Sequence, residues 1–217
     1  VFDDICEVAM TPGDDAPLYG SPMVSVNSLV FFPRAFRAIS IGDSGPDLTD
    51  GRLSMMISST AGEPIGGIRV WERGDYSLAG VGTAVTQVSV GAQFFVEILE
   101  VNGQPINPIG FNQAMVFSPK PDGTFTLPAD SGLAKLWSGE IVLDVAAALA
   151  DAGIQGGATL VSLSLDNTLF ALSEPSSVAF IAKKVFGVEV LIPEPSTLTL
   201  FIVGCFMLLT YRRRPLK

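Results

Sequence analysis

The sequence predicts an all-β protein, an antiparallel β-sandwich of jelly-roll-like type with one short helix, followed by a single C-terminal transmembrane helix. Three observations lead to this prediction. Short segments with apolar residues at every second position recur along the chain, clusters of Gly, Pro, Asp and Ser separate them, and an uncharged apolar run stands near the C-terminus. Alternation of period two indicates half-buried strands, and many short strands between turn signals favour a sandwich.

The strands are predicted from their patterns along the chain. The segment TQVSVGAQFFVEI places apolar residues at every second position from Val88 to Ile98. Asn102 and Gly103 follow it, and because both tolerate positive φ they predict a type I′ hairpin. The segment TLVSLSLDNTL repeats the alternation later in the chain. We expect further strands at Val24–Phe32, Phe36–Ile41, Leu53–Ser58, Gly67–Trp71, Ala114–Phe117 and Val178–Val185.

One segment has the periodicity of a helix. In EIVLDVAAALADAG, at residues 140–153, an apolar face is formed by Val142, Val145, Ala146 and Leu149. Gly153 is a typical stop signal. We therefore expect one short helix between the strands.

Composition excludes several classes of function. Acidic residues outnumber basic ones by 22 to 13. Nucleic acid is not an expected partner, because its binding is driven by phosphate neutralisation. The chain contains no His, which excludes Ser/His/Asp and Cys/His catalysis. Cys6 and Cys205 are not expected to form a disulfide, and Cys6 is interpreted as a small buried hydrophobic residue.

The C-terminal segment PEPSTLTLFIVGCFMLLTYRRR indicates a membrane anchor. Pro193 and Pro195 fix an extended backbone around Glu194. The uncharged run at 196–211 would form a helix about 24 Å long, slightly shorter than a hydrocarbon core of roughly 30 Å.

Three arginines follow this run directly and act as a stop-transfer signal: Arg212, Arg213 and Arg214. Arginine stems can snorkel to the interface and compensate for the short span. Because positive residues stay on the cytoplasmic side, residues 1–195 are expected to face outward.

This layout resembles the PEP-CTERM sorting signal of Gram-negative bacteria that make exopolysaccharide. The resemblance covers about a tenth of the chain. It implies that an exosortase, a membrane enzyme thought to be a cysteine transpeptidase, recognises the Pro-Glu-Pro motif and cuts near it. We accordingly divide the chain into an extracellular domain at 1–190 and a sorting signal at 191–217. The signal consists of a linker at 191–197, the transmembrane helix at 198–211 and a basic cytoplasmic tail at 212–217.

Two groups of residues are candidates for ligand sites. Asp43, Asp47 and Asp50 lie in the Gly-rich segment GDSGPDLTDG, and carboxylates on a flexible loop suit Ca²⁺, with solvated turn acids as the alternative. The second group consists of aromatic residues that could form platforms for sugar rings, with burial in the sandwich as the alternative. These residues are Trp71, Tyr76 and Trp137.

Two further pairs have weaker patterns. Asp166 and Glu174 flank a well-defined strand and are the pair of acids we consider first for a glycoside hydrolase, with a turn acid and a surface acid as the alternative. Lys183 and Lys184 could hold an acidic polymer, or they could form a solvated strand edge.

Together these features predict an exported, exosortase-sorted surface or extracellular-matrix protein of structural or adhesive type, without catalytic function. Calcium is the one cofactor considered. The alternative is a carbohydrate-binding module for exopolysaccharide, and a hydrolase with an acid pair is the third hypothesis. The C-terminal helix would anchor the protein in the membrane before processing, after which it would be at the cell surface or extracellular.

Overall fold

Two antiparallel sheets and one short helix make up the part of the protein that the computed structural model describes, residues 1–60 and 62–193. Every strand pairing is antiparallel. In chain order the elements are β1 (Phe2–Ala9), β2 (Met23–Val24), β3 (Ser28–Phe31), β4 (Arg37–Ile41), β5 (Asp47–Ser58), β6 (Gly67–Gly80), β7 (Gln87–Val101), β8 (Gln104–Ala114), β9 (Val116–Ser118), β10 (Thr124–Thr126), β11 (Gly132–Leu143), α1 (Val145–Asp151), β12 (Ala158–Leu172) and β13 (Ser177–Leu191).

The strands form two layers. Sheet 1 has six strands in the order β1-β5-β12-β7-β10, and β8 also pairs with β7. Sheet 2 has seven strands in the order β2-β3-β13-β6-β11-β9, and β4 pairs with β13. Consecutive strands β12 and β13 belong to different sheets, so the chain crosses from one layer to the other between them.

A single apolar core lies between the two sheets. On β5, β6, β7 and β12 every second side chain is buried; β12, for example, buries the residues at odd positions from Val161 to Ala171. On β6 the buried residues are at even positions, from Ile68 to Leu78. This alternation is what two sheets packed face to face require, and it confirms the predicted sandwich; the jelly-roll subtype stays a prediction.

Most of the predicted strands are present and are longer than the sequence indicates. The segment predicted as one strand at Ala114–Phe117 is divided instead between the end of β8 and the start of β9. The hairpin after β7 is confirmed, because Asn102 has a φ of 51° and Gly103 a φ of 74°. The segment predicted as one strand at Val24–Phe32 forms β2 and β3 instead. A tight turn separates them, in which the Ser25 N–H donates to the Ser28 carbonyl at 2.8 Å.

The predicted helix is shorter than its pattern. Residues 140–143 belong to β11, where Ile141 pairs with Val70 of β6, so the prediction is wrong there. The helix begins after Asp144, whose carboxylate accepts the Ala147 N–H at 2.8 Å as an N-cap. Gly153, with a φ of 71°, follows its end. Pairing with a long neighbouring strand overrides a weak helical periodicity at 140–143.

Strand β1 is absent from the sequence prediction, because FDDICEVA has no regular alternation of apolar and polar residues. Among the described strands β1 pairs with β5 alone, at the edge of sheet 1. Cys6, which we expect to be buried, is exposed on this edge strand. An edge strand needs little apolar surface, and Cys6 therefore does not serve as core.

Several predictions concern residues outside the described part of the chain: Glu194, Pro195, the helix at 198–211, Arg212, Arg213 and Arg214. Within residues 1–60 and 62–193, no helix is both long enough and apolar enough to cross a membrane.

Candidate functional site

The three candidate sugar platforms are placed on two neighbouring strands of sheet 2. Trp71 and Tyr76 lie on β6, and Trp137 lies on β11. Their positions relative to the period of two decide where they point. Tyr76 and Trp137 face the core and are only 1% and 2% exposed, whereas Trp71 faces outward and is half-buried. Only Trp71 remains available as a platform.

Tyr76 and Trp137 belong to the apolar core. Tyr76 stacks on Phe125 of sheet 1 with ring centroids 4.1 Å apart. Trp137 meets Phe117 edge to face, with centroids 6.0 Å apart. Such contacts are typical of core aromatic residues, and they agree with burial, the alternative that the sequence leaves open.

Trp71 lies over the backbone of the neighbouring strand β13. It pairs with Gly187, and a Cβ added at Gly187 would lie 2.1 Å from the indole Cζ2. The indole therefore occupies space that any other residue at 187 would fill. A glycine beside an outward aromatic residue lets the ring lie close to the sheet.

The Arg69 guanidinium is held beside the indole by two carboxylates. Its carbon lies 5.4 Å from the centroid of the Trp71 ring. Arg69 Nε and Nη2 donate to Glu140 at 2.8 and 3.1 Å, and Nη1 donates to Glu189 at 3.4 Å. A bidentate pair of this kind fixes the orientation of the guanidinium plane.

This arrangement also sets the charge of Glu140. The hydrogen bond from Arg69 lowers the pKa of the Glu140 carboxyl below its ordinary value, and it raises the pKa of Arg69. Both groups are therefore ionised at neutral pH.

A shallow recess of about 370 Å³ borders the indole on the side of β11 and β9. We call this the Trp71 recess. Its side chains combine an aromatic surface, one aliphatic side chain, hydroxyl groups and charged groups, and they come from three adjacent strands. The residues that line it include Trp71, Arg73, Val116, Ser118, Ser138 and Glu140.

The three aspartates considered for Ca²⁺ are not brought together as ligands. Asp47 is the first residue of β5, so Asp47 and Asp50 lie three positions apart on a strand and point to opposite faces. The Asp47 carboxylate accepts the Ile39 N–H at 2.7 Å, and Asp43 lies in the exposed turn before the strand. Among the described residues no cluster of three or more acidic or Cys side chains could hold a metal ion. The segment is partly strand rather than a flexible loop.

The acid pair considered for hydrolysis is also separated. Asp166, on β12, forms a bidentate ion pair with Arg52 at 2.7 and 3.0 Å. Glu174 lies beyond the end of β12 and accepts hydrogen bonds from Thr83 and Thr86. The two acids are eight positions apart, and a strand rises about 3.3 Å per position. Their separation is therefore well beyond the distance between the two carboxylates of a glycosidase.

The two adjacent lysines have different environments. Lys184 is solvated and lies 3.5 Å from Asp75, but β13 is an interior strand of sheet 2 and not an edge. Lys183 is fully buried and hydrogen-bonded to Glu72, so both hypotheses for Lys183 are wrong. Lys183 continues the inward alternation of Ala179 and Ile181. The β-bulge between Lys183 and Val185 shifts the alternation after it, so that Phe186 also faces the core.

The sequence contains part of the signal for the Trp71 recess. Arg69, Trp71 and Arg73 alternate in IRVWERG, and a strand there places all three on one face. The partners Glu140 and Glu189 are not visible in the sequence, because only the register of β6 with β11 and β13 brings them to Arg69.

Comparison with known proteins gives no family. No family model matches the chain, and no curated protein matches it. Solved structures that match include TmCBM61 in complex with β-1,4-galactotriose, with 10% identity over 85% of this chain and 87% of that chain and a TM-score of 0.27.

Two other matches are a xylanase and a second carbohydrate-binding module. A loop-swap mutant of Xyn11A from Necallimastix patriciarum is 8% identical over 86% of this chain and 100% of that chain, with a TM-score of 0.27. A module specific for non-crystalline cellulose, CBM28, is 15% identical over 71% and 78% of the two chains, with a TM-score of 0.26. Likenesses this weak carry no argument about the function of this chain.

Proposed function

We propose that this protein is an exported, non-catalytic surface protein that binds a neutral polysaccharide at the Trp71 recess. The observation that carries the proposal is the position of Trp71, which faces outward over Gly187 and borders a recess with fixed polar groups. The proposal combines two hypotheses from the sequence: the protein has a structural or adhesive role, and carbohydrate binding is the activity by which it fulfils that role.

The composition of the recess suits a sugar ring. A pyranose offers an apolar face of C–H groups and a rim of hydroxyls, so it needs a flat apolar surface beside hydrogen-bonding groups. The Trp71 indole supplies the surface. Ser118, Ser138 and Arg73 supply hydroxyls and a planar donor. The recess is open at the surface of the sheet, as a polymer chain that continues past the site requires.

Charge favours a neutral polymer. The chain has a formal net charge of −9 at pH 7, and both carboxylates on Arg69 face the same surface as the recess. An anionic polymer would be repelled by the negative net charge of the protein and by the carboxylate of Glu140. A neutral chain of hexoses avoids this repulsion.

The carboxylates beside the recess support a non-catalytic role. Glu140 and Glu189 share the guanidinium of Arg69. A general acid in a glycosidase requires a raised pKa, whereas the bond to Arg69 lowers the pKa of Glu140. Glu140 is therefore suited to orient Arg69 rather than to protonate a leaving group.

The end of the sandwich supports the sorting proposal. The last described strand, β13, ends at Leu191. Pro193 lies against Gly66, the residue before β6, where an added Cβ would lie 2.9 Å from Pro193 Cγ. The Pro-Glu-Pro motif thus begins directly at the surface of the domain. A cut after it by an exosortase would leave all the strands in the released part.

Binding can be tested by electrophoresis of the 217-residue chain in native gels that contain glucomannan, a neutral polymer, or alginate, an anionic one. We expect glucomannan to retard the parent protein and alginate not to. Trp71→Ala should lose at least about tenfold in affinity, because stacking on one aromatic ring is a large share of such a weak interaction.

Phe95→Ala is the matched control, since Phe95 is an aromatic residue, 42% exposed, on the outer face of sheet 1. Retardation that is equal in the parent and in Trp71→Ala would contradict the proposed site. Retardation that is lost only in Phe95→Ala would move the site to the other sheet.

Sorting has its own test. Glu194→Gln keeps the size of the side chain and removes its charge, and we expect the full-length form to accumulate in the membrane fraction of a host that has an exosortase. The mass and the released fraction of both forms are the measurements. Release of the Gln form equal to that of the parent would show that the charge of Glu194 is not recognised.

A further inference from the structure

The core of the sandwich contains a buried ion pair that the proposed binding function does not use. Lys183 of β13 and Glu72 of β6 are both fully buried, and Lys183 Nζ donates a hydrogen bond to Glu72 Oε2. The other carboxylate oxygen, Oε1, is buried and has no hydrogen-bond partner within the described residues. A buried pair with one unsatisfied oxygen is costly, and replacement by apolar residues is often neutral or favourable.

The lysine amine is enclosed by aromatic rings. Its Nζ lies 4.7 Å from the centroid of Phe36, 5.4 Å from that of Tyr19 and 5.5 Å from that of Phe186. The three rings exclude water from the amine. Their attraction for the ammonium form is weaker than the stabilisation that bulk water gives to the same cation.

A third polar side chain faces the same core from the opposite sheet. Asn167 of β12 is 1% exposed, and among residues 1–60 and 62–193 neither of its amide atoms, Oδ1 and Nδ2, has a hydrogen-bond partner. An unsatisfied buried amide is rare and requires an explanation. Its neighbours in the sheet, Gly51 and Ala92, are small and leave room around the amide.

Asn167 and Lys183 are at matching positions in the two sheets. Each lies eight positions from Pro175, in the connection between β12 and β13, and each faces the core. Two packed sheets are about 10 Å apart. The long side chain of a lysine from one sheet and the short side chain of an asparagine from the other can together span this distance.

Strand pairing places Asn167 one neighbour away from the aromatic enclosure. Gly51, directly beside Asn167 in sheet 1, lies against Phe36, since an added Cβ would be 3.1 Å from Phe36 Cε2. Phe36 is also the ring nearest to Lys183 Nζ. Asn167 therefore borders the enclosure that holds the lysine amine.

Burial sets the protonation of the pair. Desolvation raises the pKa of Glu72 and lowers the pKa of Lys183, in both cases against the attraction of the partner. Both shifts favour transfer of a proton from the ammonium to the carboxylate, which gives a neutral amine and a neutral carboxylic acid.

We propose that Lys183 and Asn167 form an intramolecular isopeptide bond, with Glu72 as the group that moves the protons. The neutral amine of Lys183 attacks Cγ of Asn167 while the Glu72 carboxylic acid donates a hydrogen bond to Oδ1. Glu72 then carries a proton from Nζ to Nδ2, the bond between Cγ and Nδ2 breaks, and ammonia leaves. One amide replaces another, so no oxidant and no other reactant is needed.

The bond joins the central strands β12 and β13 and therefore ties sheet 1 to sheet 2. A covalent link of this kind limits the unfolded chain as a disulfide does. The pairing also explains why a charged pair and an unsatisfied amide are kept together in an otherwise apolar core.

The test is the intact mass of the 217-residue chain, purified in detergent from a host without exosortase. We expect the parent to be lighter than its sequence mass by about 17 Da, the mass of one ammonia. A tryptic digest should contain a branched peptide that joins the segments with residues 167 and 183.

Three variants should restore the full mass: Lys183→Met, Asn167→Ala and Glu72→Gln. Lys184→Met is the matched control and should keep the loss, because Lys184 is exposed. A parent at its full sequence mass after prolonged incubation would overturn the proposal. A loss of about 18 Da, with a peptide that joins residues 72 and 183, would overturn the role of Asn167 and indicate an amide formed with Glu72.

Discussion

The two faces of strand β6 carry charged pairs with opposite roles. On the outer face, Arg69 and Glu140 form a pair whose side chains are 42% and 51% exposed. On the inner face, Glu72 and Lys183 form a pair with no exposure at all. Only three positions separate Arg69 from Glu72 in the sequence.

The difference lies in solvation. Exposed pairs contribute little to stability because water and salt screen them, so the pair of Arg69 and Glu140 is not needed to hold the fold. A buried pair is desolvated, and either partner left alone would be an uncompensated charge in the core. The outer pair is therefore interpreted as part of a binding surface, and the inner pair as part of the structure that supports it.

The largest effect is expected from the inner pair. Glu72→Ala removes the hydrogen-bond partner of Lys183 and the group that moves the protons for the proposed link to Asn167, and it should lower the free energy of unfolding by about 3–5 kcal/mol. Chemical denaturation followed by circular dichroism measures this loss. Glu140→Ala, the control on the outer face, should unfold at nearly the same denaturant concentration as the parent. An equal loss of unfolding free energy in Glu72→Ala and Glu140→Ala would contradict the proposed difference between the inner and outer faces of β6.

A smaller effect is expected where the outer face depends on a glycine. Gly187→Ala places a Cβ against the Trp71 ring, which must shift, and should lower stability by about 1–3 kcal/mol while weakening retardation by glucomannan. Gly91→Ala is a matched control, because an added Cβ there meets no atom within 4 Å among the described residues. Unchanged binding in Gly187→Ala would show that the position of the indole does not matter.

The smallest effect is expected from pH. The folded pKa of Glu140 lies below its ordinary value of 4.5, so the bond to Arg69 is complete above pH 4.5 and is lost as pH falls through the lowered pKa. Affinity for glucomannan should be constant from pH 7 to about 4.5 and then fall by a factor of about two to five. A decrease that begins near pH 6 would indicate a different titrating group.

The fold could be predicted from the sequence wherever one face of a strand is apolar and the other polar. β7 and β12 are examples, since their alternation is nearly unbroken. β1 could not be predicted, because an edge strand with one neighbour needs no apolar face. Residues 140–143, the first residues of the predicted helix, are part of strand β11, because pairing with β6 outweighs their local helical periodicity.

The sites were less predictable for a different reason. Arg69 and Trp71 can be assigned to one face from the sequence, but their partners depend on strand register. The charge of Lys183 favours a solvated position in a sequence-based prediction, but the side chain follows the inward alternation of Ala179 and Ile181 on β13. The alternation in IRVWERG places Glu72 on the same face as Ile68 and Val70, but the charge of its side chain argues against burial there, and its partner Lys183 depends on strand register.

Tryptophan fluorescence tests the central claim, that Trp71 contacts sugar, most directly. Trp137→Phe removes the other tryptophan of the chain, and Trp137 Nε1 has no hydrogen-bond partner in the described part of the protein, so no bond is lost. In this variant the tryptophan emission comes from Trp71. We predict a saturable change in emission when glucomannan is added and none with alginate. An emission spectrum that glucomannan leaves unchanged, although the polymer still retards the same variant in gels, would contradict the claim.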